Sequence, residues 1–136
     1  MDEIMSRSAL ATGTLPSQWE PESPQEDLQL IARVLDIVGD AWTLLIVREA
    51  LAGTTRFGQF QRHLGLGPNI LAARLRTLVE HGVLEAQASR QRADWSDYVL
   101  TEKGARLHAV LAALRQWGGD HCVPTGSDQA SVHESR

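Results

Sequence analysis

A mainly α-helical fold carrying one small β-hairpin is what these 136 residues predict, and three features predict it. Apolar residues recur at helical spacing through most of residues 27 to 122. The period shortens only around "VLEAQAS" (83 to 89) and "DYVLT" (97 to 101). A tight turn, Gly65 to Pro68, joins a short helical stretch to a longer one.

From Asp27, "DLQLIARVLDIVGD" puts Leu28, Ile31, Leu35 and Val38 on one stripe and stops at Gly39. "AWTLLIVREAL" follows, apolar on more than one face, as a helix in the middle of a core must be. "TTRFGQFQRHL" predicts a short third helix with Phe57, Phe60 and Leu64 inward and Gln59, Arg62 and His63 outward. Pro68 then suits the first position of the next helix, where Leu71, Leu75, Leu78 and Val79 form the buried stripe. The two short segments after Gly82 read as a hairpin with Arg90 and Arg92 near its tip. "TEKGARLHAVLAALRQWGGDH" returns to helix, with Thr101 as its N-cap or as the end of the strand, Leu107, Val110, Leu111, Leu114 and Trp117 on a stripe, and Gly118-Gly119 as its stop.

The division expected is an acidic, disordered N-terminal tail over residues 1–26, one domain over 27–122 and a flexible C-terminal tail over 123–136. An apolar content of 43% suffices for a core, and the longest apolar runs, such as Leu44 to Val47, are too short to span a bilayer. Asp2 and Glu3 open a terminus without an apolar signal core, and Cys122 is the lone cysteine, so a cytoplasmic home without disulfides is expected.

The net charge of −4 argues against a polyanionic partner until it is divided along the chain. Residues 1 to 30 carry −5, whereas residues 48 to 92 carry +4, all of the positive charge from arginine. Arginine makes bidentate contacts with phosphates and guanine edges. A short helix, a tight turn, a longer helix and a basic hairpin together are the layout of a winged helix-turn-helix.

Four stretches carry a family resemblance: "VGDAWTLLIVREAL" (38 to 51), "RFGQFQRHL" (56 to 64), "LAARLRTLVEHGVLE" (71 to 85) and "YVLTEKGARL" (98 to 107). In this order and spacing they resemble the HxlR-type, MarR-like winged-helix transcriptional regulators over about residues 28 to 120. The resemblance implies a homodimer built from the first and last helices. It further implies a cytoplasmic bacterial regulator, here read as a repressor, on a pseudo-palindromic operator of double-stranded DNA. In such a dimer the two recognition helices lie about 34 Å apart, one turn of DNA. Three departures stand out. Gln29 occupies the position where oxidant-sensing relatives resemble one another in a cysteine. Gly58 and Gly67 stand where the family commonly caps its third and recognition helices with serine. "ADWSDYVL" replaces a proline-containing wing stretch, and its Asp94 and Asp97 make the wing less basic.

The DNA-facing residues expected on the recognition helix are Asn69, Ile70, Ala73, Arg76 and Thr77, with Arg74 at the flank for phosphate or for an ion pair within the fold. Thr55, Arg56, Gln59 and Arg62 are expected to contact the backbone, and Arg90 and Arg92 the minor groove. Trp42 and Trp117 fall on apolar stripes, as core residues or as the aromatic wall of an effector pocket; Trp95 in the wing and Trp19 in the tail have no evident partner. Asp120, His121 and Cys122, with His108 and His133, match no metal-ligand spacing, and no nucleophile with a base or phosphate loop is present, so neither a cofactor nor catalysis is expected. The alternative from another class is a winged-helix protein-interaction module with little or no DNA binding.

Overall fold

The computed structural model describes residues 23–92 and 94–122. The tails, with Trp19 and His133, lie outside the described residues except for 23–26. Two compact units are resolved, the first ending at Val34 and the second running from Leu35. Helix α1 is Pro24–Val38, three residues longer at its start than the periodicity indicates. The reason is local. Pro24 takes the first helical position, Ser23 Oγ accepts from the Glu26 N–H at 3.4 Å, and Glu26 and Asp27 place negative charge at the positive end of the helix dipole.

The second unit is the helix-turn-helix with its wing. Helix α2 (Thr43–Leu51) buries Thr43, Ile46, Val47 and Glu49. Helix α3 (Phe57–Leu64) buries Phe60 and Leu64 and ends at Gly65, whose φ of 69° lets its N–H return to Gln61 O. Helix α4 (Pro68–Glu80) has Gly67 as its N-cap and turns Leu71, Leu75 and Leu78 into the core. Gly58 is not a cap: Arg56 holds that position in α3, and Gly58 lies in the first helical turn. Arg56 is in extended backbone and bridged to Asp97, so the helix starts after it, at Phe57.

Strands β1 (Leu84–Ala88) and β2 (Ser96–Leu100) pair antiparallel, from Leu84 opposite Leu100 to Ala88 opposite Ser96. Arg56 adds an isolated bridge to Asp97, and the Tyr98 N–H donates to Thr55 O at 2.8 Å, so the segment before α3 is tied to the wing. The final helical stretch is two helices, α5 (Glu102–Ala105) and α6 (His108–His121). Between them the Leu107 N–H returns to Gly104 O, three residues back, a tighter turn than the α-helix makes.

Thr101 caps α5 as expected: its Oγ1 accepts from the Gly104 N–H at 3.0 Å and donates to Gly82 O at 2.5 Å. Gly104 is buried, and a Cβ there would lie 2.1 Å from Val83 O. The Thr-x-x-Gly block is thus a clasp between the last helices and the start of β1. The expected stop at Gly118-Gly119 is corrected. Helix α6 continues to His121, because two glycines cost a helix only about 2 kcal/mol relative to alanine and remove no hydrogen bond.

Several apolar side chains stay outside the core. Leu28, Ile31 and Leu35 on α1 and Val110, Leu114 and Trp117 on α6 are exposed, and α6 buries no residue completely. Trp117, at 61% exposure, is not a core residue of the single chain, contrary to the reading from its stripe.

Candidate nucleic-acid interface

Helix α4 divides cleanly between two environments. Leu71, Leu75 and Leu78 are almost fully buried, whereas Asn69, Ile70 and Arg76 are exposed and Ala73 and Thr77 are half-buried between them. Thr77 Oγ1 donates to Ala73 O at 3.2 Å, which leaves its acceptor capacity for an outside donor. Arg76 has no ion-pair partner among the described residues.

Arg74 is held inward. Its Nε lies 3.3 Å from Asp40 Oδ1, in the link between α1 and α2. The same carboxylate accepts from the N–H groups of Trp42 at 2.7 Å and Thr43 at 2.9 Å, and from the Thr43 hydroxyl. Asp40 thereby satisfies two orphan donors at the start of α2 and fixes the flank of α4. Burial alone would raise its pKa, but the Thr43 hydroxyl, the two backbone donors and the Arg74 charge outweigh that and hold it below the ordinary value.

The arginines around the wing fall into two sets. Arg56 lies 3.8 Å from Asp97 with its guanidinium 5.2 Å from the Trp95 ring. Arg92 grips Asp94 with two hydrogen bonds, 3.2 and 3.0 Å, and lies 4.5 Å from the same ring. Two of the arginines expected on DNA are therefore offset by neighbouring acids. Gln59, Arg62 and Arg90 are exposed, and neither Arg62 nor Arg90 has a carboxylate partner among the described residues. Thr55 is half-buried and serves the wing through its carbonyl.

Behind the interface, Glu49 is a buried acid that joins α2 to α3. Its Oε1 accepts from Thr54 Oγ1 at 3.2 Å and lies 2.8 Å from His63 Nδ1, and its Oε2 pairs with Arg48 at 3.0 Å. Burial raises its pKa, but the hydrogen bonds from His63 and Thr54 and the charges of His63 and Arg48 outweigh it, so the net shift is downward. Both Asp40 and Glu49 bind protons less readily folded than unfolded. Their contribution is fully present above the ordinary carboxylate range and is lost as pH falls through it and through the lowered values. Urea midpoints should therefore hold steady between pH 7 and 5.5 and fall below about pH 4.5, the ordinary value for Glu. The double variant Asp40→Asn, Glu49→Gln should show a shallower fall; an unchanged slope would contradict both assignments.

Trp42 packs against the core, while the Trp117 ring stands 5.1 Å from His121 in the open. Neither lines the groove between α3 and the wing, which is walled by Phe57, Trp95 and Tyr98 and was not legible as a site in the sequence. Its trace in the sequence is Arg56, Gln59 and Arg62, expected there on the DNA backbone, which also line it. Among the described residues no His, Cys, Asp and Glu cluster suits a metal, and Cys122 is exposed and free.

A helix-turn-helix whose second helix keeps a polar outer face, with a two-stranded wing after it, defines a winged helix-turn-helix protein. The chain belongs to the HxlR-like helix-turn-helix family, which it matches over residues 37–125. It is 39% identical over 112 residues to an uncharacterized HTH-type transcriptional regulator of Mycobacterium tuberculosis, covering 82% of this chain and 66% of that protein. The chain thus spans just under two thirds of that relative's length. With the HTH-type transcriptional regulator YodB of Bacillus subtilis it shares 29% identity over 89 residues, 65% of this chain and 80% of YodB. Among solved structures, the candidate transcription factor PA1607 matches with a TM-score of 0.67 and 47% identity, over 82% of this chain and 73% of that one. The reduced form of YodB matches with a TM-score of 0.60 and 27% identity, over 69% and 93%. By family and fold the chain is a winged helix-turn-helix protein of the HxlR-like family. No helix among the described residues is long and apolar enough to cross a membrane.

Proposed function

We propose that this regulator binds a specific pseudo-palindromic operator in double-stranded DNA as a homodimer and represses by occupying a promoter. The observation that carries the reading is the outer face of α4, where Asn69, Ile70 and Arg76 are exposed beside a buried leucine stripe. Set in a major groove, Arg76 reads a guanine edge or a phosphate and Asn69 an adenine edge, with Ile70, Ala73 and Thr77 in apolar and hydroxyl contact. Thr55, Gln59 and Arg62 follow the backbone beside the groove, and Arg90 is a wing cation with no carboxylate partner among the described residues. Arg74 acts as a positioning residue through Asp40. The exposed apolar residues of α1 and α6 support the homodimer, since a second copy related by a twofold axis covers what the single chain leaves in water.

With Arg76 on a base edge, Arg76→Ala should weaken binding to the native upstream DNA by about 1–3 kcal/mol and leave the affinity for scrambled DNA little changed; with Arg76 on a phosphate, both affinities should fall alike. Electrophoretic or fluorescence titration at fixed salt measures both. The offset arginines of the wing favour a second reading, a winged-helix module for a protein partner. That reading predicts no difference between the two DNAs and no effect of Arg76→Ala.

A further inference from the structure

We infer, on the reading that α4 and the wing meet DNA, that Asp94 and Asp97 are built-in stand-ins for DNA phosphates. Each holds an arginine that the duplex would otherwise take, and together they restrain affinity for DNA of any sequence. The geometry is a row of five side chains centred on one indole. Arg56 lies 5.2 Å and Arg92 4.5 Å from the Trp95 ring, and each has its own carboxylate, Asp97 at 3.8 Å and Asp94 at 3.0 Å. Two cations on one ring repel each other, and the acids at the ends of the row offset them. The backbone enforces one of the pairs, since Arg56 and Asp97 form an isolated β-bridge just before α3.

Folding does not account for these acids. Asp97 Oδ1 is buried yet accepts no hydrogen bond among the described residues, an arrangement that costs free energy rather than supplying it. The side chains of Arg92 and Asp94 are 55% and 66% exposed, and an ion pair so open to water adds little to stability. What both carboxylates do is therefore electrostatic and directed at their arginines. Arg62, Arg76 and Arg90 have no carboxylate partner among the described residues, so these cations stay open to a polyanion while Arg56 and Arg92 are held. Each phosphate that a cation neutralises adds a salt-dependent, sequence-independent increment to affinity. Holding two arginines back withholds that increment from every duplex alike.

The test is titration of scrambled and native upstream duplexes with the full chain and with the double variant Asp94→Asn, Asp97→Asn, over a range of salt. Glu85→Gln, an exposed acid of β1 with no arginine partner among the described residues, controls for net charge. The double variant should bind scrambled DNA at least tenfold tighter than the wild type, with the slope of log affinity against log salt steeper by about 0.9 per phosphate gained. Glu85→Gln should raise affinity less than threefold. Arg56→Gln should lower affinity several-fold more in an Asp97→Asn background than in the wild-type chain, because only there is Arg56 released to a phosphate. A gain in affinity cannot come from loss of the fold. Equal affinity of wild type and double variant, a gain matched by Glu85→Gln, or an equal effect of Arg56→Gln in both backgrounds would overturn the inference. The operator reading is read out separately, from native against scrambled DNA. Tighter binding of the double variant to both duplexes, with no native preference in any chain, supports the restraint and overturns the operator. Native preference with no gain in the double variant overturns the restraint alone, and no DNA binding by any of the chains overturns both.

Discussion

The Phe60→Ala variant is expected to lose about 3–5 kcal/mol of folding stability, the usual loss for a fully buried phenylalanine. Phe60 is 0% exposed and sits in the core cluster with Ile46 of α2 and Leu71, Leu75 and Leu78 of α4. Deleting its ring removes apolar contact and leaves a cavity between the helices that set the angle of α4. A domain of this size has about 5–15 kcal/mol in total, so the variant should stand close to unfolding at 37 °C. Urea denaturation at 25 °C measures the loss. A loss under about 1 kcal/mol would mean that Phe60 does not occupy the core position described.

Two glycines should respond with opposite sign. Gly104→Ala places a methyl group 2.1 Å from Val83 O and 3.0 Å from Leu100 Cδ2. The carbonyl cannot retreat freely, because it accepts the Thr101 N–H at 3.1 Å at the base of the hairpin. A loss of about 3 kcal/mol, the upper part of the range for overpacking, is the expected result. Gly119→Ala meets nothing within 4 Å and lies inside α6, where alanine should stabilise by about 0.5–1 kcal/mol. Thermal unfolding of the pair separates the two environments directly. Equal midpoints would show that Gly104 is not packed against β1.

What the sequence made legible followed from periodicity and from residues with one structural use. The leucine stripe of α4 and the hairpin after Gly82 stand where the pattern put them, and so do Pro68 at its helix start and Thr101 at its cap. Each shows in a local period or a single end-marking residue, which a sequence displays. Other features depend on distant neighbours instead. Gly104 looks like any helical glycine until Val83 O is placed against it. Arg56 looks like a free cation until Asp97, 41 positions along the chain, is placed beside it. Gly118 and Gly119 read as a stop by propensity, yet the helix passes through both and continues to His121. Trp117 shows the limit of reading a stripe as a core: an apolar stripe states that something covers it, and the single chain leaves it exposed.

The candidate interface divides in the same way. The outward set Asn69, Ile70 and Arg76 could be read from helical spacing alone, because the buried set fixes the opposite face. The inward turn of Arg74 toward Asp40 could not, since the two residues lie 34 positions apart. The groove walled by Phe57, Trp95 and Tyr98 draws on α3 and the wing together, and only the fold makes them neighbours.

The most direct measurement of the central claim is binding of the purified chain to its own upstream intergenic DNA and to a scrambled duplex of equal length, from 50 to about 300 mM salt. Counterion release predicts a steep linear fall of log affinity with log salt for both duplexes, with native DNA bound tighter throughout. The account predicts a native preference of at least a hundredfold, a stoichiometry of two chains per duplex, and a preference reduced by about 1–3 kcal/mol in Arg76→Ala. Equal and weak binding to both duplexes, repeated with sites drawn from a random-sequence selection, would contradict it.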